Sequence, residues 1–311
     1  MKVLFTDRVW ADAQIETAIL EAAGHTLIDA NLDGPTEADV QALVEAETPD
    51  AILVCFAPIP KTVFDVTNLK IISRTGIGVD NVPLDAAHAR GVLVTHAPTY
   101  CIEEVSDHTV AMALSFLRQI PYSNGLTHQG KWLPTARSYQ RLSRLTVGII
   151  GCGRIGTATA RKFSGLGIRV VGYDAFATRN EAAELVPLDD LIAQADVICL
   201  HAPLTDDTYR MCDEAFFKKA KNTAIVVNTA RGPLIDNTAL VKALENGEIA
   251  GAALDTIDGE PKIPAAFLGR DDVLLTPHVA FESEQAVEEL RQTATEEVVR
   301  AFNGEAPLNP V

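Results

Sequence analysis

The sequence predicts an α/β protein with two parallel sheets. Three observations predict it. Short apolar runs alternate with helical patterns over the first hundred residues. A second series of the same build begins at Leu145. The 311 residues are too many for one small core and suit two domains of roughly 100–200 residues each.

In the first series, strand-like runs fall at 2–6, 51–56, 69–74 and 92–96, with helical patterns around 11–23, 37–45 and 84–89. Alternation of this kind places helices over a parallel sheet. Gly91, just past the third helical pattern, fits a C-cap. A long helical stretch follows at 102–118. Residues 119–144 are then polar and irregular, with two prolines and two glycines. They read as a protruding arm, in which Trp132 and Tyr139 pack either on a second subunit or on the arm's own domain. The second series places strands at 146–150, 169–173, 197–200, 224–228, 251–254 and 273–275, with helices between them. A last helix, 284–302, stops at Gly304 before a proline-bearing tail. There is no repeat of short fixed period and no low-complexity tract.

Charge and cysteines narrow the partners. The 26 basic residues minus 42 acidic ones give a net charge of −16, which repels phosphate backbones and argues against nucleic-acid binding. A local cationic site can still accept a small anion. No run approaches about 20 apolar residues, so no membrane span is expected. The start, MKVLFTDRVW, reaches Asp7 without the apolar core of a signal peptide. Five dispersed cysteines (55, 101, 152, 199, 212) without CxxC spacing read as reduced thiols of a cytoplasmic protein, with no metal site.

The strongest local signal is TVGIIGCGRIGTATARKFSGLGIRVVGYD. A strand runs into Gly151, Gly153, Arg154, Ile155 and Gly156, and a helix follows. The first glycine permits the tight turn, the second lets backbone approach a pyrophosphate, and the third lets helix and strand pack closely. The helix N-terminus offers N–H groups and a positive dipole end to phosphates. Asp174 lies 174 minus 151, or 23, residues on, where a carboxylate accepts the adenosine ribose hydroxyls. That carboxylate would repel a 2′-phosphate, so the expected cofactor is NAD; Arg179, five residues further on, tempers the preference. Cys152 inside this turn raises a further expectation, that oxidation of its thiol would block the cofactor. Other strand ends carry polar residues on the same pattern: His201, Ala202, Pro203 and Thr208 in LHAPLTDDT, then Thr229 and Ala230 in NTAR. Ligands of open α/β sheets bind at such ends.

Three residues stand out just past strand-like runs: Arg231 in NTARGPLID, Glu260 in DGEP and His278 in LTPHVAFESEQ. Singly, each has a plain reading: a structural ion-pair partner, a solvated loop carboxylate, a hydrogen-bonded turn histidine. Together they match hydride transfer to a 2-oxo acid. Arginine binds the carboxylate and polarises the carbonyl with a fork that lysine lacks. Histidine, with a reference pKa of about 6.5, gives the proton to the forming alkoxide or removes it in reverse. Glutamate beside it holds the imidazolium.

In this combination and order, RTGIGVDNV, VSDHTVAMAL, the glycine motif, NTARGPLID, LDTIDGEP and TPHVAFESEQA resemble the D-isomer-specific 2-hydroxyacid dehydrogenase family over almost the whole chain. The resemblance implies that Arg231, Glu260 and His278 form the catalytic set. It implies that backbone amides near Ile77 and Gly78 hold the substrate carboxylate, and that Thr109, Thr229 and Asp255 lie near the cofactor. It also implies two flavodoxin- or Rossmann-like domains with the active site in the cleft between them. One is a substrate-binding domain of 1–98 plus 284–311. The other is an NAD-binding domain of 99–283 whose arm, about 119–144, forms a homodimer.

Within the family, phosphoglycerate dehydrogenases often carry an Arg-Ser pair after the third strand; here that loop reads Cys55-Phe56-Ala57-Pro58 and offers no cation. Phosphite dehydrogenases place a lysine where Ile77 stands, and formate dehydrogenases replace the glutamate retained here as Glu260. Phe56 and Phe281 would wall the pocket with aromatic rings, though Phe56 could also be plain core. Phe281 matches an aromatic position in D-lactate dehydrogenase-like enzymes and in C-terminal-binding protein corepressors. The expectation is a reversible, NAD-dependent reduction of a small or medium 2-oxo acid with an uncharged side chain. The alternatives are a 3-phosphoglycerate dehydrogenase and an NAD(H)-sensing interaction protein of the corepressor kind.

Overall fold

The computed structural model describes residues 1–66, 68–132 and 139–311. The chain divides into two compact units, one of residues 1–100 with 283–311 and one of residues 101–282.

The first unit runs β1 (Lys2–Phe5), α1 (Gln14–Ala22), β2 (Thr26–Asp29), α2 (Glu37–Glu47), β3 (Ala51–Val54), α3 (Val63–Val66), β4 (Ile71–Arg74), α4 (Leu84–Ala89) and β5 (Leu93–Thr95). The strands are parallel in the order β2-β1-β3-β4-β5, the flavodoxin order. Central β3 and β4 are buried along their whole length, as a sheet covered on both faces requires. β2 escaped the sequence reading. It is the edge strand, its four residues are only partly covered, and TLID makes no continuous apolar run. Gly91 follows the α4 C-cap at φ +68°, the left-handed position that glycine takes without strain.

The second unit opens with α5 (Ile102–Leu117) and α6 (Ile120–His128). The helix α6 differs from the expected irregular arm. Pro121 sits in its first turn, where a missing N–H costs nothing, and IPYSNGLTH is too poor in strong helix formers for its pattern to be read. Residues 133–138 of the expected arm lie outside the described residues. Tyr139 packs under the Arg118 guanidinium, 5.1 Å away, while Trp132 is 82% exposed.

The unit continues with β6 (Thr146–Ile150), α7 (Arg154–Gly165), β7 (Arg169–Tyr173), β8 (Glu184–Leu185), α8 (Leu188–Gln194), β9 (Val197–Leu200), α9 (Glu214–Lys219), β10 (Ile225–Asn228), α10 (Asn237–Glu245), β11 (Gly251–Leu254) and β12 (Val273–Leu275). The parallel order is β12-β11-β10-β9-β6-β7-β8. It reverses direction at β6–β9, so the glycine turn after β6 and the loop after β9 flank the switch point where such sheets bind ligands.

The last helix, α11 (Glu284–Phe302), returns to the first unit. Ser283 caps it by accepting from the Ala286 N–H. Ala294 and Val298 join Val3, Phe5, Leu20 and Ile71 in one apolar cluster, and the Ser73 hydroxyl donates to the Ala294 carbonyl at 2.8 Å. Among the described residues no helix is long and apolar enough to cross a membrane. All five cysteines are buried and unbridged.

Candidate active site

The dinucleotide turn is built as its glycines demand. Gly151 has φ +93°, and a Cβ there would lie 2.5 Å from the Ala202 nitrogen. A Cβ on Gly156 would lie 2.0 Å from the Gly151 carbonyl oxygen. Gly153 differs from both. It faces open space and is the N-cap of α7 without a side-chain cap, and no acidic residue stands in the first turn of that helix. Backbone N–H groups and the positive helix end therefore face a space that an anionic pyrophosphate fits. Arg154 and Ile155 begin the helix.

Asp174, at the end of β7, accepts from the Cys152 N–H at 2.8 Å on one oxygen and from the Phe176 and Ala177 N–H groups on the other. Burial pushes its carboxyl upward, but the three amides outweigh it and hold the pKa below the ordinary aspartate value. The carboxylate is thus ionised and fixed beside the turn. Cys152 is a different case from the one expected. Its thiol is buried, and desolvation with the nearby Asp174 charge pushes it up to about 11. A thiol in that state is a poor target for oxidants.

After β9, His201 keeps a buried Nε2 with no hydrogen-bond partner among the described residues, and burial depresses its pKa to about 4, so the ring is neutral. An orphaned buried polar atom fits a ligand group that completes it. Ala202 touches the turn at Gly151. Thr208 donates to the Pro203 carbonyl at 2.6 Å and closes the loop on itself. Thr109 and Thr229 are both buried and share a 2.7 Å hydrogen bond, so these hydroxyls hold α5 to the end of β10. Ala230 follows, its N–H bound to the Asn228 side chain.

Arg231, Glu260 and His278 all lie in the second unit, on three loops at strand ends. Asn228 staples the first loop, since its side chain accepts from the Ala230 N–H and donates to the Arg231 carbonyl at 2.9 Å. Gly232 sits where no side chain fits: a Cβ would lie 2.1 Å from the Ile257 carbonyl carbon. Its φ is not left-handed, so its role is close approach, which presses the Arg231 turn onto the loop that carries Glu260. His278 Nδ1 lies 2.7 Å from Glu260 Oε1, and the Ile257 N–H donates to the other Glu260 oxygen at 3.2 Å. Burial pushes the Glu260 carboxyl up; His278, the Ile257 amide and the Arg231 charge together pull it below its ordinary value. An ionised carboxylate only accepts, so Nδ1 carries a proton. Phe281 stands edge-on to the His278 ring, centroids 6.4 Å apart.

Asp255 was expected near the cofactor; its carboxylate faces the His278 loop. It is 2% exposed and accepts from the Thr276 hydroxyl at 2.6 Å and from the Val279 and Ala280 N–H groups at 3.0 Å. Its own carbonyl accepts from the His278 N–H at 2.8 Å. These bonds hold His278 at φ +54°, a left-handed conformation that costs a non-glycine residue about 1 kcal/mol or more and needs such support.

Phe56, Ile77 and Gly78 belong to the first unit. The Asp7 carboxylate accepts from the N–H groups of Cys55, Phe56 and Ala57 at 3.1, 2.6 and 3.0 Å, which fixes that loop. His96 Nδ1 lies 2.7 Å from the Ile77 carbonyl and sets that peptide's orientation. The loop itself offers no cation, as read, but the Arg74 guanidinium lies 5.6 Å from the Phe56 ring centroid. The parallel register Val54↔Arg74 brings it there, and Gly76 leaves it room. Asn228, His96 and Arg74 in these positioning roles were missed because each acts through a contact that local sequence does not record. Among the described residues no group of three or more His, Cys, Asp or Glu could hold a metal ion.

Comparison with known proteins gives the same outline. Residues 110–280 match the model of the D-isomer specific 2-hydroxyacid dehydrogenase, NAD binding domain. A glyoxylate reductase of Thermofilum pendens is 36% identical over 251 residues, 77% of this chain and 74% of its own. A D-3-phosphoglycerate dehydrogenase of Mycobacterium bovis is 36% identical over 281 residues, 89% of this chain but 52% of its own, so this chain spans about half the length of that relative. In three dimensions, the TT0316 protein of Thermus thermophilus superposes with a TM-score of 0.91 at 32% identity over the full length of both chains.

Proposed function

This chain belongs to the D-isomer specific 2-hydroxyacid dehydrogenase family of NAD-dependent oxidoreductases, and from that premise we propose that it reduces a small or medium 2-oxo acid with an uncharged side chain to the D-2-hydroxy acid, reversibly. The observation that carries the reading is the 2.7 Å contact of His278 with Glu260 on loops pressed against the Arg231 turn. When bound, NADH supplies the hydride; Gly151, Gly153, Gly156 and Asp174 would hold it. Arg231 would pair with the substrate carboxylate and polarise the carbonyl. As the imidazolium, held by Glu260, His278 would give its Nε2 proton to the carbonyl oxygen and be left as the neutral imidazole. Phe281 beside the imidazole supports an apolar wall, and Phe56, Ile77, Gly78, Thr109, Thr229 and Asp255 keep their proposed places in the substrate and cofactor sites. A homodimer, through α6 and the arm, and a cytoplasmic location complete the proposal; the exposed Trp132 and the unbridged cysteines support them.

One observation favours a second reading. Arg74 over the Phe56 ring would suit a substrate with a second anionic group, as in 3-phosphohydroxypyruvate. A panel of 2-oxo acids, from glyoxylate and pyruvate to branched, aromatic and phosphorylated members, read by NADH absorbance with NADPH in parallel, decides between them. Turnover on an uncharged member with NADH preferred supports the proposal. Preference for the phosphorylated member moves the assignment to Arg74. NADH binding without turnover on any member would replace both with a nucleotide-sensing role.

A further inference from the structure

His108, on α5, lies outside the catalytic set, yet it ends a hydrogen-bond relay that reaches the catalytic loop. Its Nε2 is 3.0 Å from the Thr276 hydroxyl and 3.6 Å from Asp255 Oδ1. The Thr276 hydroxyl has one hydrogen and two available acceptors, Asp255 Oδ1 at 2.6 Å and the Met112 sulfur at 3.8 Å. The carboxylate takes it, being nearer and charged. The hydroxyl oxygen must then accept from His108, which places a proton on Nε2. The same Asp255 carboxylate accepts the Val279 and Ala280 N–H groups, and its carbonyl accepts that of His278. Two of the three hydrogen bonds described from the backbone of 278–280 to Asp255 therefore end on one buried carboxylate and the third on the same residue's carbonyl, and His108 fixes that carboxylate's side toward α5.

We propose that His108 is a positioning residue that acts through Thr276 and Asp255 to hold His278 in place and to set its proton affinity. This rests on the proposed proton-donor role of His278. Removing the imidazole donor leaves the Thr276 hydroxyl free to turn, weakens its bond to Asp255, and leaves more unshared negative charge next to the His278 loop. The consequence is a more basic and less well-placed His278.

The test compares His108→Leu, which deletes the donor, with His108→Gln, whose carboxamide N–H can still meet Thr276. The His278 ring is titrated by NMR in protein labelled with 15N-histidine, and kcat and KM are measured separately on the 2-oxo acid the wild type turns over best. In His108→Leu the His278 midpoint should move upward and kcat should fall about tenfold, as when a group that orients an active-site imidazole is lost, with the NADH Kd unchanged. His108→Gln should recover most of both, and Thr276→Val should reproduce the leucine variant. A His278 titration in His108→Leu that overlays wild type would overturn the inference, as would a glutamine variant no better than leucine. The titration needs no turnover, so a wild-type enzyme that reduces no 2-oxo acid would sink the proposed function alone.

Discussion

A lysine at position 231 would keep the charge and lose the planar fork. Arg231→Lys should therefore leave the fold and NADH affinity intact and lower kcat/KM by about 10²–10³; steady-state kinetics beside a fluorescence titration of NADH checks both, and unchanged kinetics would refute the role. His278→Ala should flatten the pH dependence of reduction near neutrality, and a profile that overlays wild type would count against the proton donor. Asp174 gives a prediction with a sign. Its folded pKa lies below the ordinary aspartate value, so its contribution is complete above the unfolded pKa and is lost as pH falls through the lowered folded one. NADH affinity should stay level from neutral pH down to about 5 and weaken only below the ordinary carboxylate range near 3.9; a loss centred near neutrality would assign ribose binding elsewhere. The residues with a chemical signature were legible: a glycine triplet, an acid 23 positions on, an arginine, a glutamate and a histidine at strand ends. The constraint on Gly232 was not legible, since it comes from the Ile257 backbone pressed against it across the fold.

Among the elements, long apolar runs and 3.6-residue periods were readable, and edges were not. β2 is half-covered and α6 buries none of its residues, so neither carries a strong pattern. No local signal says that α11 belongs with the first unit. That follows from a tertiary pairing: Arg291 binds both Glu16 oxygens at 2.8 and 2.7 Å and reaches Asp12 at 3.2 Å. Glu16 is fully buried on α1. Removing one member of such a pair strands the other in the core, which costs about 3–5 kcal/mol. Glu16→Ala should lower the urea midpoint of the first unit accordingly, read by Trp10 emission because that ring lies 5.4 Å from Arg291. The double change Glu16→Leu, Arg291→Met should recover much of the loss. A single variant as stable as wild type would show the pair to be dispensable.

At the scale of the whole molecule, a net charge of −16 meets a substrate that is itself an anion. The general field opposes approach, while Arg231 in its proposed role would act only at close range. Raising ionic strength from about 0.01 M to about 0.15 M shortens the Debye length from about 30 Å to about 8 Å. The kcat/KM for a 2-oxo acid should therefore rise over that range with kcat unchanged, and a fall would mean that local cations dominate the approach. The interrupted first unit also has a consequence in time. Its core waits for Ala294 and Val298, whereas the second unit is an unbroken segment. On a ribosome adding about 5–20 residues per second, the first hundred residues emerge roughly 10–40 s before the helix that completes them. Through that interval the apolar face of β1 and β4 has the cover of Ala13 and Leu20 but lacks that of Ala294 and Val298, and the nucleotide-binding segment, finished first, is the natural place for the chain to begin acquiring its native state.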